Sequence, residues 1–201
     1  RFIGTVAWRQ NWQTFDAVTL SSRGLPDTIA SYAHIVNVNT IFGEDSPRGD
    51  VDMNTDLFNI QYTGVPGMRL EGYAYLIDNN DSPRLSTRTL GARAHGSWPA
   101  GEGPLRLLYT GELAAQNDYR DGAEGNDADY WLGEIGVKGP RFTLKGSYEV
   151  LGGDGSYGFQ TPLATKHAFQ GWADKFLQTP ADGVEDRFVT GILRYRGFAL
   201  T

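Results

Sequence analysis

Charged side chains recur at every second or fourth residue along short stretches of this sequence. Within residues 141–150, Arg141, Lys145 and Glu149 occupy odd positions, while even positions are apolar, beginning with Phe142. Fixed charges of both signs attract and orient small ions through Coulomb forces. They do not by themselves pair a nucleophile with a base. The predicted chemistry is therefore noncovalent binding of charged or polar solutes.

The period of two predicts β-strands, because successive side chains of a strand point to opposite faces. Ten stretches carry the pattern, each roughly as long as the ~9–11 residues that a tilted strand needs to cross hydrocarbon. They are residues 2–9, 15–21, 28–38, 57–63, 68–76, 87–96, 105–116, 130–138, 141–150 and 187–195.

The connections between these stretches alternate between tight turns and long loops. The turns, rich in Gly and Pro, are residues 22–26, 64–67, 98–103 and 139–140. The loops are residues 39–56, 78–85, 117–129 and 152–186. The one exception is residues 11–14, a short connection at a position where the alternation predicts a long loop. Short turns on one side and long loops on the other are typical of outer-membrane barrels.

The sequence therefore predicts an all-β fold, a transmembrane antiparallel up-and-down β-barrel with about ten strands in a single domain, residues 1–201. A mean hydropathy of −0.40 fits such a barrel, because only every second strand residue meets lipid. Arg1 falls directly into a strand pattern, and residues 197–201 do not end on the aromatic residue expected at the end of a complete outer-membrane barrel. We expect a C-terminal fragment of a larger barrel.

The predicted inward face is basic. The bases expected there are Arg9, Arg69, Arg93, Arg106, Lys138, Arg141, Lys145 and Arg194. The acids expected there are Glu71, Glu112, Glu134 and Glu149. An excess of bases inside a pore concentrates anions and repels cations. The alternative is that these charges only neutralise one another across neighbouring strands.

Aromatic side chains on the predicted outward face suit the two membrane interfaces, where amphipathic rings lie at the headgroup level. They are Trp8, Tyr62, Tyr109, Trp131, Tyr148 and Tyr195. The alternative explanation is the general preference of strands for aromatic residues.

The loops at residues 43–56 and 117–129 are strongly acidic. Asp50, Asp52, Asn54 and Asp56 are spaced two apart, as at the start of a calcium-binding loop, but the glycine and distal glutamate of an EF-hand are missing. A solvated acidic loop is the favoured interpretation, and calcium binding is left open.

The last long loop, residues 152–186, contains Phe169, Trp172 and Phe176 at helical spacing. This predicts a short amphipathic helix within residues 164–177. Such a segment could fold inward as a constriction, or pack outside as a cap. An inward position would bring Lys166, His167, Trp172 and Lys175 near the solute path.

No motif for an enzyme, a metal or a cofactor stands out. The histidines, His34, His95 and His167, form no metal-binding pair, and neither a nucleophile elbow nor a phosphate-binding loop is present. A net charge of −6 argues against nucleic acid as a partner. We expect no catalytic residue and no cofactor.

Several segments resemble the alginate-export-type outer-membrane porins of Gram-negative bacteria. These are residues 42–50, 55–59, 72–76, 158–164 and 167–176. The resemblance is to the C-terminal part of such a protein. It implies a passive outer-membrane channel for an anionic polysaccharide such as alginate, with lipid and lipopolysaccharide as surroundings.

The competing hypothesis is a soluble or surface-attached β-sandwich or small barrel that binds carbohydrate through its loops. The two hypotheses differ in which face of the sheet contacts water. A sandwich buries Phe142, Leu144 and Tyr148, whereas a porin exposes them to lipid. Neither hypothesis predicts the oligomeric state.

Overall fold

The structure is a computed structural model that describes residues 2–165, 175–195 and 198–200. Its strands are β1 (Thr14–Ser22), β2 (Thr28–Asn39), β3 (Asp50–Tyr62), β4 (Met68–Ile77), β5 (Thr87–Pro99), β6 (Arg106–Asp118), β7 (Asp127–Lys138), β8 (Phe142–Leu151), β9 (Val184–Tyr195) and β10 (Phe198–Leu200). Each strand pairs antiparallel with the next along the chain, in one sheet. This confirms the predicted all-β, up-and-down architecture.

The connections confirm the alternation of short turns and long loops. The short ones are residues 23–27, 63–67, 100–105 and 139–141. The long ones are residues 40–49, 78–86, 119–126 and 152–183. Gly67 and Gly101 have positive φ values of 77° and 86° in the tight turns, a conformation that glycine adopts without a steric penalty.

Two predicted segments are wrong. Residues 2–9 form no strand, because the backbone there binds the last loop instead of a neighbouring strand. The Gly4 amide donates to the Leu163 carbonyl at 2.9 Å. With no strand there, residues 11–14 no longer break the alternation. Asp50 to Asp56 lie in β3 rather than in a loop, so Asp52 and Asp56 cannot wrap around an ion as a calcium loop does.

The apolar face of the sheet points outward. Phe142, Leu144 and Val189 are 41%, 54% and 75% exposed, whereas Thr143 and Ser147, on the opposite face of β8, are buried. Of the three residues whose burial separates the two hypotheses, Phe142 and Leu144 are exposed and Tyr148 is half-buried, which agrees with a porin and not with the core of a sandwich.

Outward aromatic side chains lie near both ends of the strands. Trp98 and Tyr109 are in contact near the turns, with ring centroids 4.4 Å apart, and Trp131 and Tyr148 are in contact nearer the loops, at 4.5 Å. Tyr62 and Tyr195 end their strands on the turn side. The predicted girdle residue Trp8 is an exception, because residues 2–9 form no strand.

The inward face is polar only in part, contrary to prediction. Towards the loops it is apolar, because the N-terminal segment and part of the last loop pack against it. Phe2 lies between Tyr130 and Phe159, with ring centroids 5.0 and 5.5 Å away. A second buried cluster joins Leu163 to strand residues, including Ile35.

Helical structure among the described residues consists of one 3₁₀ turn, Pro83–Leu85. No helix in that part of the chain is long and apolar enough to cross a membrane.

Candidate pore face

The middle of the inward face carries alternating charges. The register sets Glu71 opposite Arg93, and Arg93 opposite Glu112. Arg93 Nη1 lies 3.6 Å from Glu112 Oε2, and the Tyr73 hydroxyl donates to Glu112 Oε1 at 2.9 Å. Glu112 is only 4% exposed, and these contacts offset part of the cost of burying its charge, since its Oε2 accepts no hydrogen bond.

The other predicted acids also have partners on this face. Glu134 accepts hydrogen bonds from Lys145 Nζ and the Ser147 hydroxyl, both at 2.9 Å. Glu71 Oε1 lies 3.2 Å from His95 Nε2. The Tyr130 hydroxyl donates to Glu149 at 2.8 Å. In this middle zone Arg93 and Lys145 each have an acidic partner, as the alternative of neutralisation across strands expects, whereas Glu71 and Glu149 contact His95 and Tyr130.

The turn side of the inward face differs, because its bases outnumber its acids. We call Arg69, Arg106, Lys138, Arg141 and Arg194 the basic tier. All five are exposed, and none forms an ion pair within the described residues. Arg106 lies directly opposite Lys138, and the Arg194 amide donates to the Arg141 carbonyl at 2.7 Å. Like charges set opposite one another repel, so this zone favours an anion between them.

The last loop folds inward as far as it is described. We call residues 157–165 the inward loop. Gln116 of β6, 1% exposed, binds it to the wall. Gln116 Nε2 donates to the Thr89 hydroxyl at 2.8 Å and to the Gln160 carbonyl at 2.9 Å. Gln116 Oε1 accepts from the Tyr157 hydroxyl at 2.6 Å and the Gln160 amide at 2.7 Å.

A tight turn precedes the inward loop. Asp154 accepts hydrogen bonds from the Ser156 hydroxyl and from the amides of Ser156 and Tyr157. These bonds, that of the Ser156 hydroxyl first, lower the pKa of Asp154 to about 2. Burial raises the pKa of Tyr157, so its hydroxyl stays protonated and can donate to Gln116.

The predicted constriction residues are only partly described. Lys166, His167 and Trp172 lie outside the described residues, as does most of the predicted helix, and Lys175 is exposed. Arg9, predicted on the inward face of a strand, instead lies in the irregular N-terminal segment. Gln116 was not among the predicted site residues, since an inward polar residue in a strand pattern does not reveal that a loop 44 residues away binds it. No group of three or more possible metal ligands occurs among the described residues.

No protein-family model and no curated protein matches the sequence. Solved structures do match. OccAB4 of Acinetobacter baumannii superposes with a TM-score of 0.73 at 15% identity, over 94% of this chain and 48% of OccAB4. OpdL of Pseudomonas aeruginosa superposes with a TM-score of 0.64 at 16% sequence identity, over 94% of this chain and 58% of OpdL. OpdK of the same organism, whose structure was determined with vanillate, superposes with a TM-score of 0.59 at 16% sequence identity, over 73% of this chain and 40% of OpdK.

The fold is that of part of an outer-membrane porin barrel. The chain spans about half the length of these Occ and Opd proteins, which are outer-membrane porins. The likeness confirms the predicted porin barrel and agrees with the predicted outer-membrane location. Alginate export in particular stays a prediction. In a porin barrel the inward face lines the channel and the short turns lie on the periplasmic side.

Proposed function

We propose that the intact protein is a bacterial outer-membrane channel for the passive passage of anionic or sugar solutes, and that this chain forms about half of its wall. The observation that carries the proposal is the basic tier. Its five exposed cations lie on the channel-lining face, without acidic partners among the described residues. No covalent chemistry is proposed.

The outward face supports the membrane part of the proposal. Exposed apolar side chains such as Val189 and Leu144 share the outward face with one aromatic pair near the turns and another nearer the loops. Outer-membrane barrels present this arrangement to lipid. The Trp131–Tyr148 pair, on the loop side, would lie at the outer leaflet, where lipopolysaccharide is the neighbouring lipid.

The solute class follows from the unequal distribution of charge along the channel. Arg93 and Lys145 each pair with an acid of the middle zone, Glu112 and Glu134. The inward-facing bases without an acidic partner among the described residues are those of the basic tier, and we assign the sign of the preferred solute to them. OpdK was determined with vanillate, whose carboxylate makes it an anion. Alginate, suggested by the sequence resemblance, is also anionic and stays a candidate.

Reversing the charge of Arg106 and Arg194 together is expected to lower the anion-over-cation permeability ratio of the intact channel by roughly tenfold, because focused fields in low-dielectric clefts change local ion concentration on that scale. The ratio is measured from reversal potentials in planar bilayers under a salt gradient. Arg106→Glu with Arg194→Glu tests the basic tier more cleanly than a change at Arg93, which would also break the contact with Glu112.

Arg88→Glu is the matched control, because Arg88 is an exposed arginine on the outward face of β5. Its reversal should leave the permeability ratio unchanged. An unchanged ratio in the Arg106 and Arg194 double variant, or an equal fall in the Arg88 variant, would reject the basic tier as the selectivity element.

A further inference from the structure

A histidine lies on the inward face where the middle zone meets the basic tier. His95 of β5 is set opposite Arg69 of the basic tier on β4, and opposite Thr110 on β6. Its Nε2 lies 3.2 Å from Glu71 Oε1, and the side chains of His95 and Glu71 are 30% and 21% exposed. Both side chains can therefore act on an ion in the channel.

Glu71 is the acid of the middle zone whose direct partner can change its charge. The other acids there are either buried or paired with a lysine, namely Glu112, Glu149 and Glu134. Within the described residues, Glu71 has no lysine or arginine at salt-bridge distance, and its second contact is a hydrogen bond from Gln61 Nε2 at 3.4 Å. The exposed negative charge of Glu71 is therefore neutralised by a direct partner when His95 carries a proton.

The charged groups around His95 on the inward face of β4 to β7 are of both signs. They are the cations Arg69 and Arg93 and the anions Glu71, Glu112 and Glu134, the last of which contacts Thr110, the neighbour of His95 on β6. The anions favour a protonated histidine, and the cations oppose it. Histidine is the side chain that ordinarily changes its charge between about pH 5 and 8. Protonation of His95 adds one positive charge beside Arg69 and cancels the negative charge of Glu71.

We propose that Glu71 and His95 determine the selectivity of the channel together with the basic tier, and that they make this selectivity depend on pH. At high pH His95 is neutral, and the exposed carboxylate of Glu71 opposes the field of the basic tier. At low pH the imidazolium of His95 pairs with Glu71, so the basic tier acts unopposed and the preference for anions increases.

The inference rests on the proposed function, and its test uses the same quantity at two pH values. The anion-over-cation permeability ratio of the full-length protein is measured from reversal potentials in planar bilayers, under a potassium chloride gradient, at about pH 8 and about pH 5.5, on either side of the usual titration of histidine. We expect the wild-type ratio to be about two- to fivefold higher at the lower pH, because one unit charge a few ångströms from an ion in water changes the local ion concentration by about that factor.

Three variants separate the charge of the pair from its structural role. His95→Gln keeps a polar side chain that does not change its charge, so the permeability ratio should no longer depend on pH. His95→Lys carries a positive charge at both pH values and should give the high ratio at both. Glu71→Gln removes the opposing carboxylate and should raise the ratio at the higher pH.

His34→Gln is the matched control, because His34 forms the same kind of pair on the outward face. Its Nδ1 lies 3.0 Å from Asp56 Oδ1, and its opposite neighbour on β1, Val18, is 64% exposed. This variant should respond to pH as the wild type does. A wild-type response in His95→Gln overturns the inference, as does a response that is lost equally in His34→Gln. A response lost only in His167→Gln assigns the effect to the last loop and likewise overturns it.

The pH response and the proposed function can fail separately. An anion-selective channel with the same permeability ratio at both pH values overturns the role of Glu71 and His95 and leaves the proposed function intact. A channel that prefers cations at both pH values rejects the selectivity assigned to the basic tier. In such a channel, a shift towards anions at the lower pH that is lost in His95→Gln still supports the role of the pair.

Discussion

Val189→Arg is expected to lower the free energy of unfolding of the intact barrel in a lipid bilayer by about 2–4 kcal/mol, the cost of a base on the lipid face near the bilayer midplane. Val189 lies in the middle of β9, is 75% exposed, and is on the same outward face as its opposite neighbour on β8, Gly146. Its surroundings in the membrane are hydrocarbon, where a guanidinium has no water and no acidic partner.

The measurement is a urea titration of the protein folded into phospholipid vesicles, followed by tryptophan fluorescence. Thr110→Arg is the control, because Thr110 faces inward and its hydroxyl lies 3.5 Å from Glu134, which can pair with the new base. The control should remain within about 1 kcal/mol of the wild type, as surface ion pairs contribute little. Equal losses for the two variants would contradict the assignment of the outward face to lipid.

Gln116→Leu is expected to release the inward loop and enlarge the pore. Gln116 makes four hydrogen bonds at this point, and the change leaves the Tyr157 hydroxyl and the Gln160 amide without their partner. Three of the four join Gln116 to the inward loop, so at about 0.5–1.5 kcal/mol for each lost bond the docking of the loop weakens by about 1.5–4.5 kcal/mol. A shift of about 2 kcal/mol already raises the undocked population about 30-fold.

Single-channel conductance in planar bilayers measures the size of the pore, and the rate of limited proteolysis within residues 152–165 measures the release of the loop. Both should increase in Gln116→Leu. Gln61→Leu removes a glutamine that also faces inward but binds only Glu71 within the described residues, at 3.4 Å, and it should change neither. A Gln116 variant with wild-type conductance and proteolysis would show that this side chain does not hold the loop.

Most of the sheet was predictable from the sequence, because alternation in a strand is a local property. Nine of the ten predicted stretches coincide with β1 to β9. The charged residues of the inward face were predictable by the same rule. Once a strand is known, its odd-numbered and even-numbered residues point to opposite faces. Gly and Pro marked the turns for an equally local reason.

The wrong secondary-structure predictions fell on segments that pack against or pair with residues distant in the sequence. The alternation of residues 2–9 looked like a strand, yet Phe2 packs against Tyr130 and Phe159 instead of facing lipid. Asp50 to Asp56 looked like a loop, because acidic side chains are unusual in a strand, but pairing with β2 extends β3 through them.

The sequence by itself determined most of strands β1 to β9, their order and the face on which the charges within these strands lie, because these depend on neighbours that are close in the sequence. Only the tertiary structure decided which bases are neutralised. Arg93 and Lys145 find acids on the adjacent strand, while Arg106 meets Lys138. The strand register sets these cross-strand pairs. The position of the inward loop likewise depends on contacts such as that of Gln116 with Gln160, which join distant parts of the chain.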